Sequence, residues 1–301
     1  ALLRGLRINH ASQGFYNLDQ IAIHDELSET YLALSDLDKA NFHQKIQIDF
    51  AEYTKGKNSS ELAASHFKLA RWYNRTGQTA AELNSYRRAY SIMAVTSGEN
   101  NPELIETLRY ISESYVMQAG DLRQAPRNLS TLNISDADSQ LANMRNGAIT
   151  ALKRAIEINA AQPEPNLLLD AELLLELGDA HMLFGALRSA KLAYQNAWDI
   201  YLEQKAHTEL LEGIFGSPVA ISETTMPGYY PLKRSTEIAL ASNPEVFGDG
   251  LIVMRFDVNK AGAVKNIRVV EADPPNTLER KATKALRYTR YRPAMNNREP
   301  I

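Results

Sequence analysis

Leu69-Ala70-Arg71-Trp72-Tyr73 is the stretch from which the rest of the chain can be read. A large apolar residue, a small one and a ring three positions later recur as Leu27-Ser28-x-x-Tyr31 and Ile111-Ser112-x-x-Tyr115, each 42 residues away. A fourth copy, Leu177-Gly178-x-x-His181, lies 66 residues further on, one period plus about 24 inserted residues. Self-similarity at a fixed period of this size marks a repeat architecture built from one supersecondary unit. The second half of each unit agrees: Tyr86 and Ala89, then Ala148, Leu152 and Ala155, then Ala190, Tyr194 and Ala197. Small residues at such places let paired helices approach closely, and the Tyr and Leu fill the space between them. Turn signals at Thr76-Gly77, Gly120-Asp121 and Gly185 separate the two helices. The first unit fits least well, with Gln44 and Gln47 where apolar residues are expected.

These features resemble tetratricopeptide repeats over about residues 15–205. The 42-residue period, with Gly98-Glu-Asn-Asn-Pro102 between units, looks like the long-helix variety of kinesin light chains. A mainly α fold is expected, an α-solenoid of helical hairpins. Stacked pairs of this kind present a face built from the first helix of each unit, where a protein or peptide partner is held. The residues expected to project toward it include Glu29, Phe67, Arg71, Asn74, Arg75, Arg109, Glu113, Glu172 and Asp179. Arg71 and Arg75 are one helical turn apart and share a face. With Asn74 and Arg109 they are placed to grip a carboxylate through bidentate hydrogen bonds. The alternative is that they are solvated charges paired with Glu113 or their neighbours, as most helical surface charges are.

A different period governs the end of the chain. Ile252, Met254, Phe256 and Val258 alternate with Val253, Arg255 and Asp257, as in a strand with one apolar face. A tight turn ends at Gly262, and a second strand places Ile267 and Val269 on one face. After Pro274-Pro275, Leu278, Ala282, Ala285 and Leu286 show the spacing of a helix with one buried stripe. Together with Pro227, Tyr230-Pro231, the Gly250–Val258 strand and the Tyr291-Arg292-Pro293 close, this resembles the C-terminal domain of TonB-type proteins. The resemblance implies a small α+β domain that accepts a short segment of an outer-membrane receptor by strand addition, with Tyr291, Arg292 and Pro293 in its motif. In that family a last strand follows the proline, whereas only Ala294–Ile301 remain here; the sequence is clipped or the strand is missing.

The expected organisation is therefore a repeat domain over 1–212 with an insertion at about 122–139, a Gly- and Pro-broken linker over 213–231, and the TonB-like domain over 232–301. Phe215, Tyr229 and Tyr230 are expected to pin the linker, and a helix is expected from Pro231 to Ser242. The chain of 301 residues is 44% hydrophobic and 23% charged, the composition of a folded protein. From Ser222 onward 13 Lys+Arg face 9 Asp+Glu, leaving 20 against 27 before it, so a mildly basic tail follows an acidic body. The net charge of −3 argues against nucleic acid as a bulk electrostatic partner. No cysteine is present, which excludes disulfides and thiolate ligands, and no apolar run is long enough to span a membrane.

Neither a metal site nor a cofactor is expected, because the six His residues lack ligand spacing and no phosphate-binding or dinucleotide motif occurs. His181 is expected to pack inside its repeat. Glu172 and Glu176, one turn apart, are expected to be solvated, and no nucleophile elbow is found, so an enzyme is not expected. Ala1-Leu-Leu-Arg-Gly has neither an initiator Met nor a signal pattern, so an upstream signal or anchor is expected to have been removed. The function expected is that of a periplasmic interaction scaffold; alternatively, the TonB-like unit only caps the repeat array.

Overall fold

The computed structural model describes residues 1–16, 19–124, 134–204, 208–221, 251–273, 275 and 279–301. Pro227, Tyr229, Tyr230-Pro231, the expected 231–242 helix, Gly250 and Leu278 lie outside them. The described residues form two compact bodies, one up to Tyr110 and one from Ile111 onward.

The first body holds α1 (Leu2–Gln13), α2 (Gln20–Ala33), α3 (Leu37–Lys55), α4 (Ser60–Arg75), α5 (Thr79–Ser97) and the start of α6 (Leu104–Gln124). Helices α2 and α3 pack as one pair, α4 and α5 as the next. The repeated quartet lies near the end of the first helix of each pair, with Leu27, Ser28, Leu69, Ala70 and Tyr73 buried. Its last residue has a second task. The carbonyl of Tyr31 accepts from Asp36 N at 2.9 Å, that of Tyr73 from Gln78 N at 2.8 Å, and that of His181 from Ala186 N at 2.8 Å. This is the helix-ending bond that needs a left-handed residue just before its donor. Gly77 and Gly185 fill that position at φ 71° and 77°, and Ser35 fills it at φ 60° in the first pair.

Polar side chains close the other helix ends. Asp36 caps α3 by accepting from Lys39 N at 3.2 Å, and Ser59 caps α4 by accepting from Leu62 N at 3.1 Å.

The second body holds the rest of α6, then α7 (Ile134–Ala160), α8 (Leu167–Leu183), α9 (Leu187–Glu203) and α10 (Thr208–Phe215). The Gly120-Asp121 turn signal is overturned, because α6 runs through it to Gln124. The position equivalent to Gly77 and Gly185 is Ala119, fully buried, so no left-handed residue stops the helix there. Residues 122–124 and 134–139 of the expected insertion are helical, and 125–133 lie outside the described residues. The helix break expected from Gly213 is likewise overturned: α10 continues to Phe215. A glycine inside a helix costs only about 1 kcal/mol, less than the packing of the whole element supplies.

Helices approach closely where glycine permits it. A Cβ on Gly147 would sit closer than 3.0 Å to the Tyr115 ring, and one on Gly178 equally close to the Tyr194 ring. Ala148, Leu152, Ala155, Ala190, Tyr194 and Ala197 are all buried beside these contacts, as their spacing predicts.

Beyond α10 come β1 (Val219–Ala220), β2 (Leu251–Val258), β3 (Val264–Asp273), α11 (Glu279–Tyr288), β4 (Tyr291–Arg292), β5 (Met295–Asn296) and β6 (Glu299–Pro300). β2 and β3 form an antiparallel hairpin. Its register shifts twice, leaving Asn266 and Val270 as the extra residues of β3, with Asn266 at φ 50°. These bulges correct the phase of β3. Strict alternation from Val264 would turn Asn266 and Arg268 inward, whereas the shifted strand puts Val264, Ile267, Val269 and Ala272 on the face shared with Ile252 to Val258. α11 packs on β3, with Ala282 and Ala285 buried. The eight residues after Pro293, expected to leave the domain one strand short, contain the short hairpin of β5 and β6.

Candidate functional site

Two sets of residues were expected to meet partners. The first lies on α4 and α6. Arg71 is exposed, its guanidinium 5.3 Å from the Phe67 ring centre. Phe67 meets Tyr86 and Tyr110 edge-on at 5.1 and 5.4 Å, while Tyr86 and Tyr110 stack at 5.1 Å. The cation therefore rests on the Phe67 ring, which Tyr86 and Tyr110 hold in place. Its neighbours are engaged. Arg75 lies 4.7 Å over Trp72 and pairs with Glu29, and Asn74 donates to Glu82 at 3.1 Å. Arg109 pairs with Glu106 one turn away at 3.2 Å. Glu113 stands one turn beyond Arg109 on α6, at a position belonging to the other body.

Beside this set is a polar network, buried at Gln44 and Gln47 and open to solvent at Lys68, that the sequence reading missed. Gln44 and Gln47 both donate to Asp25 Oδ1, at 3.1 and 2.6 Å, and Lys68 Nζ reaches Asp25 Oδ2 at 2.7 Å and Gln47 Oε1 at 2.9 Å. The two glutamines replace apolar residues because α2 supplies a carboxylate to satisfy them, as buried amides require. Their spacing of three on a buried stripe was the available signal.

His24 and His43 face each other with Nδ1 atoms 2.8 Å apart, so one ring must donate and the other accept. Burial, then the charges of His43 and His10, bring His24 down to about 4 against the pull of Asp25; burial also lowers His43. Phe50 packs on His24, and Tyr31 and Phe42 pack on His43. The unfolded chain thus binds more protons than the folded one between the ordinary value of 6.5 and about 4. Stability from this pair is complete above that window and is lost as pH falls through it. We expect a loss on the order of 2 kcal/mol on acidification, visible in pH-dependent urea melts and largely abolished in His24→Phe.

The second set closes the chain. Arg292 is little exposed and makes a two-pronged ion pair with Asp179 of α8: Nε to Oδ1 at 3.0 Å and an Nη to Oδ2 at 2.7 Å. The Tyr194 hydroxyl donates to the same Oδ1 at 2.8 Å, and the guanidinium lies 5.7 Å from the Tyr194 ring centre. Burial works to lower the pKa of Arg292, but the hydrogen bond and charge of Asp179 outweigh it and hold the group above its usual value. Burial, then the Asp179 charge, pushes Tyr194 upward. Asp179 and Arg292, assigned to two different partner surfaces in the sequence reading, thus engage each other.

Tyr291 is half-buried, its ring 5.5 Å from that of Phe256, and Pro293 is buried. Met295 is buried with Phe215, Tyr194, Tyr201 and Met182, so the TonB-like segment shares a core with α8, α9 and α10. Phe215 pins the linker as expected, 5.0 Å from Trp198. Lys191–Glu299 and Arg298–Asp199 ion pairs, at 2.7 and 2.8 Å, rim this contact.

Glu172 is exposed and Glu176 half-buried; His181 is half-buried, with burial and then Lys153 and Arg145 lowering its pKa. Among the described residues no cluster of three or more His, Asp or Glu could hold a metal, and no helix is long and apolar enough to cross a membrane.

Residues 248–301 match the family model described as Gram-negative bacterial TonB protein C-terminal. The chain ends in a TonB-type domain. Among solved structures, a Podosopora anserina protein described as having kinesin light chain, nearly identical TPR-like repeats matches at 16% identity and TM-score 0.49, covering 68% of this chain and 86% of its own. BtubC from P. vanneervenii matches at 14% identity and TM-score 0.43, covering 68% of this chain and 72% of its own. A comparison with curated proteins returns no match. The helices form a paired array resembling TPR repeats, followed by the small α+β region.

Proposed function

We propose that the protein is an interaction scaffold of the Gram-negative periplasm, whose helix pairs hold a protein partner and whose TonB-type domain closes the last pair. The reading is carried by the Arg292–Asp179 ion pair, which commits the domain's closing motif to α8 and not to a separate partner. The TonB-type match supports the envelope setting. We take the repeat domain to span 1–212, the linker 213–231 and the TonB-type domain 232–301. On the first body the partner surface is Phe67 with Arg71, Asn74, Arg75 and Arg109; Glu113, on the second body, is proposed as a partner contact by itself. Arg71 is the gripping residue, because Arg75 and Arg109 already pair with Glu29 and Glu106.

A partner carboxylate is the chemistry that the exposed Arg71 guanidinium fits. Outer-membrane receptor segments are candidates for strand addition at the hairpin, because among the described residues β2 and β3 form a sheet of two strands only. The full chain on a solid support, offered periplasmic extract, is expected to retain a partner that Arg71→Glu retains at least tenfold less. Equal capture by both forms would remove Arg71 from the binding surface.

A further inference from the structure

We propose that the outward face of α11 docks on an anionic phospholipid surface, with Arg280, Lys281, Lys284 and Arg287 set against the headgroups. The exposed residues of α11 are these four and Tyr288 alone. With 3.6 residues per turn they fall within about a third of the helix circumference. The buried Ala282 and Ala285 lie on the side packed against β3, and Glu279, the one carboxylate of the helix, lies off the cationic arc.

Nothing within the domain accounts for this cluster. Among the described residues none of the four cationic side chains has a hydrogen-bond or ion-pair partner. Arg280 and Lys284 are like charges one turn apart, as are Lys284 and Arg287, and such pairs weaken a helix. Arg280 and Lys281 also stand in the first turn, where the macrodipole favours acids over bases. The helix carries its charge against its own stability, and an external anionic surface relieves both conflicts at once.

The layout of the charges selects the occupant. They spread over about 10 Å along the axis, too far for one phosphate or carboxylate to meet them all. A field of headgroups does meet them all, each cation adding its own attraction. A protein partner fits less well, because the core of a protein interface is depleted of charge and this face has no aliphatic side chain to fill one. The exposed Tyr288 ring suits a lipid surface, since tyrosine concentrates at headgroup level. With its alanine side committed to β3, the helix lies on the headgroups and does not sink an apolar face among the acyl chains. From Ser222 onward 13 Lys+Arg face 9 Asp+Glu, against 20 and 27 before it, so the attraction is confined to the tail of the chain.

Co-sedimentation of the full chain with vesicles tests this. Vesicles of phosphatidylcholine with about one-third phosphatidylglycerol are expected to bind it at least tenfold more tightly than phosphatidylcholine alone. That binding is expected to disappear at about 1 M salt, where the Debye length is about 3 Å. The salt arm needs no substitution, so it is independent of any folding defect. Lys281→Gln with Lys284→Gln is expected to bind at least tenfold more weakly, and Lys281→Arg with Lys284→Arg as the wild type does. Lys45→Gln with Lys57→Gln removes the same charge from two exposed sites outside α11 and is expected to change nothing. Equal binding to both kinds of vesicle overturns the proposal, as do equal losses in the α11 and Lys45/Lys57 variants. So does displacement by inorganic phosphate at the lipid's phosphate concentration, which marks a site for single anions, or tighter retention by duplex DNA at that concentration, which marks a nucleic-acid surface. The inference goes beyond the scaffold reading: capture dependent on Arg71 and vesicle binding dependent on α11 can succeed or fail separately.

Discussion

Asp179→Ala is expected to destabilise the body carrying the C-terminal domain by about 3–5 kcal/mol, because breaking a buried pair leaves an uncompensated charge. The Arg292 side chain is only 12% exposed and that of Asp179 20%, so water cannot replace the lost carboxylate at either guanidinium contact. The Tyr194 hydroxyl loses its acceptor in the same step. Arg292→Lys is not a mild change here, because one ammonium cannot span both carboxylate oxygens. Replacing both partners with apolar residues, as in Asp179→Leu with Arg292→Met, should recover most of the loss, since the cost lies in the orphaned charge. Urea unfolding followed by circular dichroism, with amide exchange at 290–296, measures both effects. A loss below about 1 kcal/mol for Asp179→Ala would place the pair among surface bridges of little consequence.

Gly178→Ala is the second large effect. The added methyl would meet the Tyr194 ring closer than 3.0 Å, and that ring is fully buried between α8 and α9 with its hydroxyl held by Asp179. Neither the ring nor the helix axis is free to yield, so the substitution should cost about 2–3 kcal/mol, the upper part of the range for overpacked cores. Gly178→Ala combined with Tyr194→Leu is expected to be less harmful than the two single changes added together. Residues in contact couple in this way, and a double-mutant cycle on unfolding free energies reads the coupling directly. Strict additivity would show that the ring moves aside at no cost.

The repeat was legible because its cause is local. A quartet that buries a large residue, seats a small one and ends a helix must recur wherever the same helix pair recurs, and the 42-residue spacing displays it. The hairpin was legible for a similar reason, its apolar face being written in alternate residues. Gly120 and Gly213 misled because glycine marks a turn only where a left-handed backbone is required. At Ala119, the true equivalent of Gly77, nothing requires it. Gln44 and Gln47 read as defects because their compensation, Asp25, sits on another helix.

The Arg292–Asp179 pair joins residues 113 positions apart, with no period to connect them. Two charged residues that each look like surface were therefore assigned to separate partners. Only the fold, which sets β4 against α8, shows that each is the other's partner.

The buried seam of Met295 and Phe215 against α8 and α9 also limits how this chain can diversify. A repeat array ordinarily lengthens by copying a unit onto an open end. Here a new pair inserted after α9 would separate Asp179 from Arg292 and cover the surface that Met295 occupies. Gene duplication that preserves this closure has to enter upstream of α8, so the recognition surface can be extended by mutation while the terminal pair stays constant.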